Sequence, residues 1–115
     1  MEISELVREA HGMAVGKGWH ESAGRQVDYG AHRIPTLCMM VVSELAEAVE
    51  CYRGGKVDPW IGENGKPEGF AFELADAVVR LADIAGLYNI DLEQAIVVKM
   101  AYNATRAHRH GGKAC

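Results

Sequence analysis

The sequence lacks the signatures of most enzyme classes that act on phosphates or esters or that use zinc. It contains no Gly-x-x-x-x-Gly-Lys loop, no Gly-x-Ser-x-Gly motif and no Cys/His spacing of the zinc-site kind. P-loop, esterase and zinc-enzyme interpretations are therefore set aside. It also contains no β-type alternation of apolar and polar residues and no internal repeat. These absences predict an all-α fold, a bundle of four helices.

Cysteines are few, and long apolar runs are missing. Cys38, Cys51 and Cys115 make an odd number without Cys-x-x-Cys spacing, which favours a reduced, cytoplasmic setting. The N-terminus is acidic and amphipathic, unlike a signal peptide. No stretch reaches the roughly 18 apolar residues of a membrane span. We therefore expect a cytoplasmic protein with no membrane partner.

A large excess of one charge is missing too. The net charge of the 115 residues is −4, with basic residues gathered near the C-terminus and carboxylates in the middle. This distribution does not resemble a surface for a nucleic-acid polymer, and it suits a small anion held between a metal and lysines. The length and the 49% hydrophobic content fit one domain over residues 1–115, for which a second copy would help to bury apolar surface.

Breakers and caps divide the chain into four predicted helices. Pro35 and Pro67 suit first helical turns, Ile34 is expected to be non-helical because it precedes a proline, and Gly54 suits a helix end. Asp91 can cap the last helix as part of a capping box. The predicted helices are 3–15, 35–53, 67–88 and 92–106.

The most informative positive feature is a pair of acidic motifs on apolar helical stretches. Glu44 and Glu47 lie in S-E-L-A-E, and Glu73 and Asp76 in F-E-L-A-D. The i,i+3 spacing brings both carboxylates of a pair onto one helix face, where like charges cost about 0.2–0.5 kcal/mol. Glu44 is expected to point inward, with Glu47 at the edge of the apolar face. A sequence that does this twice favours a cation, and oxygen ligands favour Mg²⁺ or Mn²⁺.

Two other interpretations of the acidic motifs exist. They could be solvated helix edges, with Asp76 and Arg80 forming an ordinary i,i+4 pair. A di-iron carboxylate bundle would require Glu-x-x-His pairs, which are missing. The repetition of the motif on two apolar helices favours the Mg²⁺ interpretation.

Candidate substrate ligands lie mainly on the fourth helix. Lys99, Asn103 and Arg106 share one face, where the two basic residues can bind an anion. A solvated basic face near a helix C-terminus is the alternative. Lys113 either closes over the bound anion or belongs to an exposed tail, and Trp19 either stacks on a ring of the substrate or packs under its loop.

The ordered motifs E-L-A-E (44–47) and E-L-A-D (73–76), followed by K-M-A-Y-N-A-T-R-A-H-R-H-G-G-K, resemble the MazG-like all-α nucleotide pyrophosphohydrolase family over residues 36–113. The resemblance implies Mg²⁺-dependent cleavage of nucleoside triphosphates between the α and β phosphates, giving a monophosphate and pyrophosphate. It also implies that Glu44, Glu47, Glu73 and Asp76 are metal ligands, and that the protein is a homodimer or homotetramer. In such a site Lys99 and Arg106 are expected to bind phosphate oxygens, and Asn103 the sugar or base.

In the reaction expected from this resemblance, a water near the metal attacks the α-phosphorus, oriented or deprotonated by a carboxylate such as Glu47 or Glu44. Asp83 is expected to pair with Arg80 or Lys99, either behind the metal ligands or as a plain salt bridge. Non-standard or surplus deoxynucleotides are the first choice of substrate, and dUTP, dCTP or phosphoribosyl-ATP the alternatives. A non-catalytic helical module that oligomerises or binds nucleotide is a further hypothesis.

Overall fold

The computed structural model describes residues 1–22, 25–26 and 32–106. Most of these residues are helical, which confirms the all-α class at that level. The elements in order are α1 (Ile3–Gly16), β1 (Glu21–Ser22), β2 (Arg25–Gln26), α2 (Arg33–Arg53), β3 (Trp60–Ile61), a 3-10 turn (Glu63–Gly65), β4 (Pro67–Glu68), α3 (Phe70–Leu87) and α4 (Leu92–Ala104). Within the described ranges, none of the helices combines the length and apolar character needed to cross a membrane.

Helix α3 is the centre of the fold, because it packs against both α1 and α2. The buried apolar residues are small: Ala10, Ala14, Val41, Ala48, Ala77, Ala82 and Ala85. No large side chain among the described residues is fully buried. Small side chains allow close helix approach but remove little apolar surface from water, so the core of one chain is thin.

Much apolar surface stays exposed on the three later helices. The exposed side chains include Met39, Val42, Leu45, Val49, Leu74, Val78, Leu81, Val97, Val98 and Met100. The Cα radius of gyration is 16.8 Å, whereas a compact domain of this length has about 13 Å. A single copy is therefore extended, and its helices leave these apolar side chains partly exposed.

The start of α2 differs from the sequence-based prediction. The helix begins at Arg33, so Ile34 is helical and the expectation that it would not be was wrong. Pro35 is the third helical residue, where a backbone N–H would have no partner within the helix. The absent N–H of proline therefore costs no hydrogen bond at this position. The steric preference of Ile34 for a non-helical conformation is overridden.

The start of α3 also differs. Pro67 and Glu68 form β4, antiparallel to Trp60–Ile61, so the prediction of a helix from 67 was wrong. Gly69 separates strand from helix with φ 122°, and a Cβ there would lie 2.7 Å from the carbonyl oxygen of Asp58. Only glycine fits this junction, and α3 begins one residue later, at Phe70.

The other helix ends agree with the sequence. Helix α2 stops at Arg53; Gly54 follows as its C-cap, and the next residue, Gly55, adopts φ 72°. The Asp91 carboxylate accepts a hydrogen bond of 3.0 Å from the backbone N–H of Gln94, which confirms the cap of α4. Helix α4 ends at Ala104, two residues before the predicted end.

Candidate metal and nucleotide site

Three of the four predicted metal ligands converge where α2 meets α3. Glu44, Glu73 and Asp76 each offer a carboxylate oxygen within 4.8 Å of the others; we call these residues the acidic cluster. Glu73 is only 8% exposed, Glu44 is half-buried and Asp76 is exposed. The i,i+3 spacing on α3 puts two of the carboxylates on one face, and α2 brings the third from a different helix.

The fourth predicted ligand, Glu47, lies beside this cluster. It is exposed on α2, and it lines a cavity of about 240 Å³ together with Glu73, Lys56 and Lys66. Its negative charge contributes to the raised pKa of Glu73. Glu47 therefore faces the cluster from its open side.

The carboxylates repel one another in the metal-free chain. Burial is the largest cause of the raised pKa of Glu73, followed by the negative charges of Asp76, Glu44 and Glu47. Removal from water and the charge of Glu44 raise the pKa of Asp76, whereas Lys66 and Arg80 lower it. Glu73 and Asp76 thus hold their protons more tightly than isolated carboxylates do, and a bound cation would reverse that tendency.

The donor set fits a small hard cation. All the groups are carboxylates, the oxygen ligands that Mg²⁺ and Mn²⁺ prefer. The partial burial of Glu73 and Glu44 and the open position of Asp76 leave room for substrate oxygens, which Mg²⁺ commonly keeps as ligands. Glu44, Glu73 and Asp76 are thus the residues that would hold the ion, with Glu47 next to them.

Two basic side chains near the cluster were not singled out by the sequence reasoning. Lys66, in the β3–β4 connection, lowers the pKa of both Glu73 and Asp76. Lys56 lies with its Nζ 4.6 Å from the centroid of the Trp60 ring. Their position depends on the hairpin that replaces the predicted start of the third helix, so no sequence signal connected them with the carboxylates.

Arg80 links the acidic cluster to an aromatic cleft. Its Nε donates a 2.7 Å hydrogen bond to Glu44 Oε1. Arg80 therefore pairs with a carboxylate of α2 and not with Asp76, its i,i+4 neighbour on α3. Its guanidinium carbon lies 5.2 Å from the centroid of the Trp19 ring. Beside this pair is a cleft of about 320 Å³, which we call the aromatic cleft; its lining includes Trp19, Thr36, Leu37, Met40 and Arg80.

The predicted phosphate ligands of α4 are not part of this arrangement within one chain. Lys99, Asn103 and Arg106 are exposed. The cations of Lys99 and Arg106 lie 5.7 Å and 6.0 Å from the Tyr102 ring centroid. Their role in phosphate binding stays a prediction, and Lys113 lies outside the described residues.

Asp83 has different partners from those expected. Its carboxylate lies 2.9 Å from His11 Nδ1 and 2.9 Å from His20 Nε2, so the predicted pairing with Arg80 or Lys99 was wrong. We call these three residues the histidine–aspartate cluster. The residues come from α1, the following loop and α3, and their wide separation in sequence gives no motif. The one sequence feature that indicated a special role for Asp83 was its position on a largely apolar helix.

Compared with protein-family models, with curated proteins and with solved structures, the chain matches none of them. The inference about function therefore depends on the two clusters, the aromatic cleft and the order of the acidic motifs.

Proposed function

We propose that the protein is a Mg²⁺-dependent nucleoside triphosphate pyrophosphohydrolase of the MazG-like kind. The observation that carries the proposal is the convergence of Glu44, Glu73 and Asp76 from two helices, with oxygens within 4.8 Å of one another. Repelling carboxylates are expensive to keep together unless a cation compensates them. Their order along the chain, E-L-A-E before E-L-A-D, is the order that suggested this family.

The side chains around the cluster can divide the work on a triphosphate. When bound, Mg²⁺ would neutralise phosphate charge and polarise the phosphoryl group. Lys56, which precedes the hairpin, and Lys66, which lies within it, are cations on the side of Glu47 and Glu73. There they can bind the departing pyrophosphate. Glu47 is exposed and free to accept a proton from an attacking water.

The aromatic cleft is the proposed site for the nucleoside. Trp19 is 42% exposed and can stack on a base. Arg80 is shared between the cleft and the acidic cluster, so a substrate bound across it would have its base and its phosphates at the two ends of this arginine. Non-standard or surplus deoxynucleotides are the proposed substrates, with dUTP, dCTP or phosphoribosyl-ATP as alternatives.

A homodimer or homotetramer belongs to the same proposal. The exposed apolar faces of α2, α3 and α4 and the thin alanine core support an assembly in which a second copy covers them. In such an assembly, α4 of one copy would have to approach the acidic cluster of another copy. Only then could its polar residues Lys99, Asn103 and Arg106 reach the substrate. A cytoplasmic location is also proposed, and it agrees with the free thiols of Cys38 and Cys51.

The alternative is a helical module that binds nucleotide or oligomerises without catalysis. The raised pKa of Glu73 argues for the enzyme, because a module without a cation would gain stability by losing that carboxylate. Turnover decides between the two, since both would bind nucleotide.

The test is a panel of nucleoside triphosphates incubated with Mg²⁺, with pyrophosphate and orthophosphate measured separately. We expect pyrophosphate and a monophosphate as primary products, and a loss of turnover of about 100-fold or more in Glu47→Gln and Glu73→Gln, or roughly 2.7 kcal/mol in transition-state stabilisation. Glu9→Gln, an exposed change on α1, is the matched control and should keep full activity.

Three results would contradict the proposal. Orthophosphate as the primary product would mean that a different bond is cut. Full turnover in both variants would show that the acidic cluster takes no part in the reaction. Nucleotide binding without any turnover across the panel would favour the non-catalytic module.

A further inference from the structure

We propose that His11, His20 and Asp83 form a second metal site, for a divalent transition ion of the Zn²⁺ type. This inference does not depend on the pyrophosphohydrolase activity. Nitrogen and oxygen atoms of the three side chains lie within 4.8 Å of one another. The residues contribute two imidazole nitrogens and one carboxylate, a ligand set found in zinc and non-haem iron sites.

Burial makes a cation favourable at this position. Asp83 is 4% exposed and His20 is 6% exposed, so the carboxylate charge is almost entirely removed from water. A buried carboxylate without a compensating charge is costly, and a divalent ion held between the three groups compensates it directly.

The backbone is shaped to hold His11 against α3. Gly86 lies opposite this histidine, and a Cβ at that position would come within 2.7 Å of His11 Cγ. The two imidazole rings have centroids 5.8 Å apart and are tilted by 45°, so both rings present their edges to the carboxylate from different directions. A metal needs ligands that converge from several directions, rather than a stack.

An ion can reach the cluster through two cavities. His20 lines both the aromatic cleft and a second cavity of about 250 Å³, and Asp83 and His11 line one each. Three protein ligands leave at least one coordination position open, and either cavity can supply a water or a small anion there. His20 Nδ1 is a buried nitrogen with no hydrogen-bond partner within residues 1–22, 25–26 and 32–106, and a water in the adjoining cavity could bind it.

The two metal sites differ in the ions they select. The acidic cluster offers only carboxylate oxygens and favours Mg²⁺ or Mn²⁺, whereas imidazole nitrogens favour Zn²⁺ and other later ions. The sites are seven residues apart on α3, from Asp76 to Asp83, or about 10 Å along the helix axis. Excess Mg²⁺ therefore occupies one site and leaves the other for Zn²⁺.

Zinc binding is measured by equilibrium dialysis and calorimetry on the full chain in excess Mg²⁺. The background variant carries His108→Gln, His110→Gln and Cys115→Ser, which remove metal-binding side chains near the C-terminus. We expect one Zn²⁺ per chain and a rise in melting temperature on the order of 10 °C at saturating zinc, because the ion connects α1, its following loop and α3. Asp83→Asn and His20→Gln should each weaken zinc binding at least tenfold. His32→Gln, an exposed histidine change, should not.

Cobalt binding gives a readout that does not require folded variants. In the same background, Co²⁺ should show visible d–d absorption without the charge-transfer band of a thiolate ligand. Absence of tight Zn²⁺ binding in this background overturns the proposal, and so does a thiolate band. Equal zinc affinity in Asp83→Asn, His20→Gln and His32→Gln overturns it as well.

Discussion

The two halves of α3 bury carboxylates of the same kind among different neighbours. In the N-terminal half, Glu73 and Asp76 meet Glu44, so negative charges surround a partly buried negative charge. In the C-terminal half, Asp83 meets two imidazoles, which can donate hydrogen bonds to it. Burial alone therefore does not determine how a carboxylate binds protons or ligands. The charges and hydrogen-bond donors in direct contact with it also determine this.

The two halves should also respond differently to mutation. Removing a charge from the N-terminal half relieves repulsion but removes a proposed metal ligand. Removing the charge from the C-terminal half takes an acceptor away from the buried His20 and the half-buried His11. The first change should affect activity more than stability, and the second should affect stability directly.

The largest expected effect is on catalysis at the N-terminal half. Asp76→Asn keeps the size of the side chain and removes its charge, so we expect kcat/KM for the best triphosphate to fall about 100-fold or more, or roughly 2.7 kcal/mol. The fold should persist, because Asp76 is exposed. Steady-state pyrophosphate release measures this, with circular dichroism to verify helix content. An unchanged kcat/KM would show that Asp76 is not part of the proposed metal site.

The next effect is on stability at the C-terminal half. Asp83→Asn replaces a charged acceptor shared by His11 and His20 with an amide, and we expect the free energy of unfolding to fall by about 1–3 kcal/mol. Urea denaturation in metal-free buffer measures it. Asp58→Asn, an exposed change outside the helices, is the control and should stay within about 0.5 kcal/mol of wild type. Equal stability of the two variants would contradict the structural role of the cluster.

Two glycines sharpen the same comparison. An added Cβ at Gly86 would clash with His11, whereas nothing lies within 4 Å of one at Gly12. We expect Gly86→Ala to lower the free energy of unfolding by about 1–3 kcal/mol through overpacking. Gly12→Ala should raise it by about 0.5–1 kcal/mol, because alanine is the better helix former. Thermal unfolding of both variants measures this. A change of the same sign in the free energy of unfolding of both variants would contradict the close packing of His11 against Gly86.

The smallest effect is a pH dependence of the metal-free chain. The pKa of Glu73 is raised above 4.5 in the folded state, so the folded chain binds that proton more tightly than the unfolded chain does. Its stabilising contribution is complete below about pH 4.5 and is lost as the pH rises through the raised folded pKa. At pH 7 we therefore expect Glu73→Gln to be more stable than wild type by roughly 0.5–1 kcal/mol.

The difference between wild type and Glu73→Gln should disappear when the pH is lowered below about 4.5, where the wild-type side chain is also neutral. Added Mg²⁺ at pH 7 should stabilise wild type more than the variant. Urea denaturation at several pH values, with and without Mg²⁺, provides the measurement. A wild-type advantage at pH 7 without metal would contradict the repulsion in the acidic cluster.

Local sequence features predicted the helices well where one residue decides the outcome. Asp91 and Gly54 were read correctly as a cap and a stop because their effects act over one turn. Pro67 was misread because proline suits both a helix start and an edge strand. The pairing of Pro67–Glu68 with Trp60–Ile61 is a contact between segments, which the local signal does not contain.

The candidate site was predictable where it depended on spacing within helices. The inward position of Glu44 and the shared face of Glu73 and Asp76 followed from helix periodicity. The partners of Asp83 did not, because His11 and His20 approach it only through the packing of α1 on α3. Lys66 was missed for the same reason, since its position is set by the hairpin.

The Arg80 guanidinium over Trp19 gives the molecule a built-in optical reporter. The chain has two tryptophans, and Trp60 has its own cation, Lys56, above the ring. Indole emission changes when a positive charge leaves the ring face, so nucleotide that draws Arg80 towards its phosphates would alter the Trp19 signal. A Trp60→Phe chain would then emit from the aromatic cleft alone.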